Sequence, residues 1–325
     1  MRSAFITLVF GSILGSLPLA APADAQNYPT KPIRLICPFP PGGVADVTAR
    51  VVGQKMSEVL GQQVLVENRP GASGLIGVDL AAKATPDGYT LLMTTGDFLT
   101  TPTSMPPMSF DPHKALIPII MATTAPLVLA AGAESGINNI KELIAAAKAK
   151  PGGLAFSSPG NGTINHVAVE WLALEAGLKL LHVPYKGGAP AAVAVAAGEV
   201  QLGAVTPSSG MQYVRSGKAK VIALMTKVRP SFTPSSWPTL DEAGVPVDAA
   251  LWVGLFAPAG TPAAIVSKLN ADVARILQDE SVRKRLNDVG TEASPMSQQQ
   301  FRERIQTDAA RYAKVVQQAG IKVEH

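Results

Sequence analysis

The sequence has one cysteine, Cys37, and its aromatic residues make up only 5% of the 325 residues. A single cysteine cannot form an intramolecular disulfide, so a small disulfide-stapled fold is excluded. The four histidines are scattered, and the sequence contains no His-x-x-x-His or Cys-x-x-Cys pair. We therefore predict no metal site and no cofactor, and we interpret Cys37 as a small core residue at the end of a strand.

Basic residues are not gathered into blocks. The chain has 28 Lys and Arg residues against 24 Asp and Glu residues, which gives a net charge of +4. The basic run at 283–285 follows closely on Asp279 and Glu280. Because no basic block alternates with aromatic residues, we expect no nucleic acid partner, and we interpret the positive charge as a solvated surface.

The first 25 residues are typical of a secretory signal peptide. Arg2 precedes an uncharged stretch at 4–21, and Ala23-Asp24-Ala25 fits the small-x-small cleavage pattern. We predict cleavage after Ala25 and a periplasmic location, because exported proteins without disulfides are common there. A retained membrane anchor is the alternative, and the glycines and prolines in the stretch count against it.

A second uncharged stretch covers residues 115–133, which is close to the length of a membrane span. Pro118 and Pro126 divide it into two short β-like runs. Two buried strands joined by a bend therefore explain it better than a membrane span.

Most of the mature chain alternates β-like and helix-like segments, which favours parallel sheets covered by helices. After an apolar run at 251–258 we predict three helices, with Thr261 as the N-cap of the first, and no further clear strand. A chain that begins one domain, builds a second and then returns would give this order. We predict domain 1 at 26–122 and 250–325 and domain 2 at 123–249, with crossings near 120–126 and 245–255. The strands are predicted near 33–38, 63–67, 89–94, 153–157, 180–184, 200–205 and 219–225, and the helices near 44–60, 74–84, 139–149, 163–176, 188–197, 208–216, 262–278, 280–289 and 297–319.

Loops that follow the strands are the candidate ligand sites, because open α/β sheets bind ligands beyond the carboxyl ends of their strands. In the loop at 38–46, Gly42 and Gly43 precede a helix, so backbone N–H groups at the positive end of the helix dipole could bind an anion. We interpret Asp46 chiefly as a structural cap and Arg69 as the ion-pair partner of Glu67. The other candidates are the loops at 68–74, 94–98, 157–166, 184–190 and 205–209.

The loop at 157–166 repeats this arrangement. Thr163 is placed either to cap the following helix or to bind a ligand, and His166 is either a neutral hydrogen-bond donor or a packed side chain. A dinucleotide fingerprint is rejected, because Asn165 occupies the third glycine position and no acidic residue ends the next strand. Two anion-binding loops on opposite walls of one cleft would hold a small carboxylate.

Several separated motifs together resemble the solute-binding receptors of tripartite tricarboxylate transporters, the Bug family. They are Tyr28-Pro-x-Lys-Pro-Ile33, Pro38-Phe-Pro-Pro-Gly-Gly-x-x-Asp46, Glu67-Asn-Arg-Pro-Gly71, Pro86-Asp-Gly-Tyr-Thr-Leu-Leu92, Gly160-x-Gly-Thr-x-x-His166, His182-Val-Pro-Tyr-Lys-Gly187 and Ala257-Pro-Ala-Gly-Thr-Pro262. The resemblance implies an α/β fold, a two-domain periplasmic binding protein of the type II-like, Venus flytrap kind with parallel or mixed sheets flanked by helices. It also implies a monomer that closes on a small organic carboxylate and delivers it to the membrane permease subunits of a tripartite transporter.

The resemblance and the loops together give the predicted ligand-binding residues, with no catalytic residue among them. After the strand at 200–205 many family members have an aspartate, whereas this chain has Thr206, which makes an amino-acid ligand less favoured and a plain mono- or dicarboxylate more favoured. Two alternatives stay open: a ligand-sensing receptor for a signalling partner, and a hydrolase that uses Ser158 or Ser157 with His166. The predicted residues are Phe39, Gly42, Gly43, Asp46, Ser73, Thr95, Ser158, Gly162, Thr163, His166, Tyr185 and Thr206.

Overall fold

The structure, a computed structural model, describes residues 27–104, 111–230 and 232–321. The predicted signal peptide and its cleavage site lie outside these residues. The strands are β1 (Ile33–Cys37), β2 (Val64–Asn68), β3 (Thr90–Thr95), β4 (Leu116–Pro126), β5 (Val128–Gly132), β6 (Ala155–Ser158), β7 (Leu181–Pro184), β8 (Leu202–Val205), β9 (Ala219–Leu224), β10 (Ala250–Pro258) and β11 (Glu292–Met296). The helices are α1 (Val44–Leu60), α2 (Leu75–Ala82), α3 (Asp97–Ser104), α4 (Pro112–Ala115), α5 (Ile140–Ala149), α6 (Ile164–Ala176), α7 (Gly188–Ala196), α8 (Pro207–Arg215), α9 (Ala263–Ile276), α10 (Glu280–Asp288) and α11 (Gln298–Ala319).

The strands of the described residues form two mixed sheets. The first has the order β11-β4-β10-β3-β1-β2, and the second has the order β7-β6-β8-β5-β9. In the first sheet β1 is parallel to β2 and β3, whereas β10 is antiparallel to β3 and β4. In the second sheet β6 is parallel to β7 and β8, whereas β5 is antiparallel to β8 and β9. The predicted α/β class with helix-covered sheets is confirmed. We call each sheet with its helices the first lobe and the second lobe.

Among the described residues, the chain leaves the first sheet and returns to it through two neighbouring connections. β4 ends at Pro126 and β5 begins at Val128, so Leu127 alone joins the two sheets there. The return segment begins after β9, and its Met225 N–H donates to the Leu127 carbonyl at 2.8 Å. The two connections therefore lie side by side. The domain limits at residues 122/123 and 249/250 stay a prediction.

The uncharged stretch at 115–133 forms two strands, β4 and β5, both largely buried, as the sequence predicted. Pro118 does not divide it, because it lies inside β4. Pro118 pairs with Phe256 beside a shift in the register of β4 against β10. A proline is tolerated there because an irregular position of a ladder does not need its missing N–H group.

The prediction that no strand follows β10 is wrong. Residues Glu292–Met296 form β11, which pairs with β4 at the edge of the first sheet. The segment contains Pro295 and has no apolar run, so its sequence lacks the usual strand pattern. An edge strand needs hydrogen bonds on one side only, and tertiary pairing with β4 outweighs the weak local preference.

Two predictions near helix starts also need correction. The predicted loop at 94–98 includes the start of α3 at Asp97. Thr261 is not the N-cap of α9, because Pro262 occupies that position. The Thr261 hydroxyl donates instead to the Pro258 carbonyl at 2.8 Å, which stabilises the turn after β10. The interpretation of Cys37 is confirmed, since it is a buried free cysteine at the end of β1.

Candidate functional site

A cavity lies between the two lobes, where the carboxyl ends of β1, β3, β6 and β8 face one another. A water molecule's centre can occupy about 40 Å³ of it, a few times the roughly 10–15 Å³ that one water needs. The cavity in this structure therefore suits a small ligand. Its lining includes Phe39, Gly43, Val44, Ala45, Thr95 and Asp97 from the first lobe, and Pro159, Asn165, Gly188, Thr206 and Ser209 from the second.

The loop before α1 is held in shape by Asp46. One carboxylate oxygen accepts the Gly42 N–H at 3.0 Å, and the other accepts the Asn68 side-chain N–H at 2.9 Å. Arg50 also binds this carboxylate. Burial acts to raise the pKa of Asp46, but the hydrogen bonds from Arg50, Asn68 and Gly42 leave it below its ordinary value of 3.8. Asp46 therefore has the structural role that the sequence favoured.

Gly42 and Gly43 have different roles in the loop before α1. The Gly42 N–H is used within the loop, whereas Gly43 is an extended N-cap without a side-chain cap. Gly43, Val44 and Ala45 line the cavity at the N-terminus of α1. The first turn of a helix has N–H groups without intrahelical acceptors, and at α1 this turn borders the cavity.

The loop before α6 satisfies most of its polar groups internally. The Thr163 hydroxyl donates to the Gly160 carbonyl at 2.8 Å and accepts the His166 N–H, so Thr163 caps α6. The Gly162 N–H donates to Nδ1 of His166 at 3.1 Å. Nδ1 is therefore the acceptor of this bond, which leaves Nε2 as the ring's donor. Of this loop, Pro159 lines the cavity, whereas Ser158, Gly162, Thr163 and His166 hold the loop itself.

Asp97 binds the N-terminus of α6 from the opposite lobe. Its Oδ1 accepts the Ile164 N–H at 2.6 Å, and its Oδ2 accepts the Thr95 hydroxyl. Asp97 is not among the residues predicted from the sequence, although the candidate loop at 94–98 contains it. The predicted residues also omit Asn165, whose side chain donates to the Ala204 carbonyl at 2.7 Å, and Ser209. The signal for Asp97 was its place three residues after the predicted strand at 89–94, where an acid can reach a ligand.

An outer part of the cleft holds the remaining predicted residues. Ser73 and Tyr185 line it, together with Phe39. The Ser73 hydroxyl donates to the Asn161 carbonyl of the second lobe at 2.9 Å. The Tyr185 hydroxyl donates instead to Glu199 at 2.9 Å. Ser73 and Tyr185 line this outer pocket and not the inner cavity, whereas Phe39 lines both.

The lobes approach each other closely along this cleft. A Cβ atom built on Gly160 would lie 2.6 Å from the Ser73 hydroxyl oxygen. A Cβ atom on Gly187 would lie 2.9 Å from Cγ of Pro40. Real Cβ atoms essentially never make such contacts, so a larger residue at either position would have to displace the Ser73 hydroxyl or the Pro40 ring.

The serines and histidines near the cleft do not form the catalytic pair considered from the sequence. Ser158 bonds to Nε2 of His182 at 2.7 Å, not to His166, and Ser157 donates to the Ala191 carbonyl. Both serines are fully buried. A nucleophile must be reachable by the substrate and paired with an oriented base. The arrangement therefore gives the hydrolase alternative no support.

The predicted pairing of Arg69 with Glu67 is confirmed.

His182 is half-buried and stacks on His166 with ring centroids 3.6 Å apart. Burial, with a smaller contribution from His166, lowers the pKa of His182 from 6.5 to about 3. Since a charged imidazole would be poorly solvated here, His182 stays neutral in the folded protein at the pH values where it is protonated in the unfolded chain.

The free energy of unfolding should therefore fall as the pH falls from 6.5 towards 3, because the unfolded chain then binds a proton at His182 that the folded protein does not bind. His182→Phe keeps an aromatic ring in the stack but cannot titrate. Between about pH 7.5 and about pH 4.5, we expect the variant to lose about 2 kcal/mol less stability than the wild type. Urea unfolding at the two pH values measures the difference, and equal losses would contradict the assignment.

Two properties of the described residues concern other kinds of site. They contain no group of three or more His, Cys, Asp or Glu side chains arranged to hold a metal ion. In the same residues, no helix combines the length and apolar character of a membrane span.

The sequence and structure are similar to known proteins over most of their length. The profile of the tripartite tricarboxylate transporter family receptor matches residues 48–321. Protein BugT of Bordetella pertussis is 33% identical over 327 residues, covering 100% of both chains. An R. palustris protein solved with adipate has a TM-score of 0.86 at 33% identity and covers 91% of this chain and 99% of its own. MatC from Rhodopseudomonas palustris with bound malate has a TM-score of 0.83 at 29% identity, with coverage of 89% and 100%.

Proposed function

Because the chain belongs to the tripartite tricarboxylate transporter receptor family, we propose that it binds a small organic carboxylate between its two lobes in the periplasm and passes it to a membrane permease. The family and fold indicate a periplasmic solute-binding receptor rather than an enzyme. Adipate and malate in the related structures support a carboxylate as the ligand class. The proposal includes export as a monomer, with cleavage after Ala25.

The observation that carries this proposal is the cavity at the N-terminus of α1. Gly43, Val44 and Ala45 line it, and Asp97 is the only charged residue among the described residues that do so. With no Lys or Arg in the lining, the attraction for an anion comes from backbone N–H groups and the helix dipole. The small free volume agrees with a ligand of a few carbon atoms.

Binding would couple to movement of the lobes about the connections at Leu127 and Met225. The cavity lining comes from both lobes, so a ligand can touch all of it only when the lobes are together. A ligand that binds the closed form better shifts the population towards that form. The permease would then distinguish the loaded receptor from the empty one by its shape.

A thermal-unfolding experiment tests the proposed ligand class. At a concentration one hundred times its dissociation constant, a ligand that binds only the folded protein adds about 2.7 kcal/mol of stability. For a chain of this size, we expect adipate or malate to raise Tm by about 5 °C or more. The matched control is 1,6-hexanediol, which has the carbon chain of adipate without its carboxylates and should leave Tm unchanged. A broad panel of small organic acids without any shift would overturn the proposal.

A further inference from the structure

Asp97 places a buried carboxylate inside the cavity between the lobes. Its side chain belongs to the first lobe, follows β3 and reaches the first residue of α6 in the second lobe. Only 4% of Asp97 is exposed, and the residue lines the cavity beside Thr95 and Asn165. It is therefore in a position to contact a bound molecule.

Among the described residues, no positive side chain balances Asp97. Its partners in the described residues are the Ile164 N–H and the Thr95 hydroxyl, and its carboxylate makes no ion pair there. Burial raises the pKa of Asp97, although these two hydrogen bonds act in the opposite direction. A carboxylate can accept about four hydrogen bonds, so two acceptor positions remain for a ligand.

This carboxylate also changes what the second lobe can bind. The N-terminus of α6 was one of two expected sites for a ligand carboxylate, but Asp97 already accepts its first N–H. A ligand anion beside Asp97 would be repelled by this carboxyl group whenever it is ionised, because the cavity is poorly solvated. A ligand hydroxyl or ammonium group at the same place would donate a charge-assisted hydrogen bond.

We propose that Asp97 determines the specificity of the cavity and selects carboxylic acids that carry a hydrogen-bond donor, an ammonium or hydroxyl group, over plain acids with the same carbon skeleton. The proposal rests on the proposed function, since it assumes a carboxylate ligand. The ligand's carboxylate binds at the N-terminus of α1, and its donor group faces Asp97. The sequence-based preference against amino acids rested on Thr206 standing in place of an aspartate. Asp97 is a carboxylate of the first lobe, whereas the aspartate of many family members would stand at position 206 in the second lobe.

The test uses sets of acids that differ in one substituent. Succinate, malate and aspartate share a four-carbon skeleton with hydrogen, hydroxyl or ammonium, and glutarate, 2-hydroxyglutarate and glutamate form the five-carbon set. Isothermal titration of the full mature chain should show at least one donor-bearing acid binding about tenfold or more tighter than the plain acid of its set. In Asp97→Asn the shape is kept and the charge is lost, so this ratio should fall to within about threefold of one.

Two further variants make the result decisive. Asp97→Ala should lose the preference in the same way, which covers the case in which the asparagine variant does not fold. Asp308→Asn neutralises another fully buried carboxylate of the first lobe that does not line the cavity, and it should keep the wild-type ratio. If the wild type prefers the plain acids, or both Asp97 variants keep the wild-type ratio, Asp97 does not determine specificity. If no acid of either set or of the broader panel binds the wild type, the proposed function itself fails, and this inference fails with it.

Discussion

Replacing Ala189 with tryptophan is expected to weaken carboxylate binding by about a hundredfold while leaving each lobe folded. Ala189 lies in the first turn of α7 and faces the loop before α1, since a Cβ atom built on Gly42 would lie 3.8 Å from the Ala189 Cβ. A large side chain here must enter the space between the lobes. If it disfavours the closed form, the apparent affinity falls in proportion to the population that can still close.

The matched control is Val193→Trp. Val193 lies on the same helix and is 45% exposed, so a larger residue there should not alter binding. Titration with a bound acid measures the affinities. Small-angle scattering with saturating acid should show a smaller radius of gyration for the wild type and the control than for Ala189→Trp. Wild-type affinity in Ala189→Trp, at an unchanged melting temperature, would argue against binding by closure.

Replacing Trp252 with alanine is expected to cost about 3–5 kcal/mol of stability, the largest effect that we predict for a single core substitution. Trp252 lies on β10 and is fully buried. Its ring packs edge-on against Phe301 with centroids 5.0 Å apart, and its Nε1–H donates to Asp308 at 2.9 Å. The substitution therefore leaves a cavity and takes one donor from a buried carboxylate.

Two variants separate the causes of this loss. Trp252→Phe retains an aromatic ring but removes the donor to Asp308, so we expect it to cost about 1–3 kcal/mol. Trp171→Ala removes a partly buried tryptophan whose Nε1–H donates to Glu175 in an exposed hydrogen bond, and it should cost less than Trp252→Ala. Denaturant unfolding with a common m-value measures all three. A loss below about 1 kcal/mol for Trp252→Ala would contradict the packing role.

Strongly patterned segments could be predicted from the sequence. The run Ile33–Cys37 is apolar except for the exposed Arg34 and is followed by a glycine turn. The predicted helix at 44–60 forms with these limits and ends at Gly61 in the left-handed conformation. These features depend on local periodicity and on glycine at chain turns, which act over a few residues. β11 could not be found in this way, because its stability comes from pairing with β4, more than 160 residues earlier in the chain.

The candidate site shows the same division. The sequence indicated that glycine loops would meet beyond the strand ends, and Gly43, Thr95 and Thr206 do line one cavity. It could not show which donors the protein uses itself. Asp46 takes the Gly42 N–H from within the same loop, whereas Asp97 takes the Ile164 N–H across the cleft.

The sequence by itself determined the family, the α/β class and the loops that border the cleft, because each follows from residues near one another in the chain. Only the tertiary structure decided which groups face the cavity. Asp97 and Ile164 are 67 residues apart, and their contact depends on how the lobes pack, which no local pattern encodes. A hydrogen bond formed within the protein makes that protein donor unavailable to a ligand. The groups that remain for a ligand in the cavity can therefore be identified only from the tertiary structure.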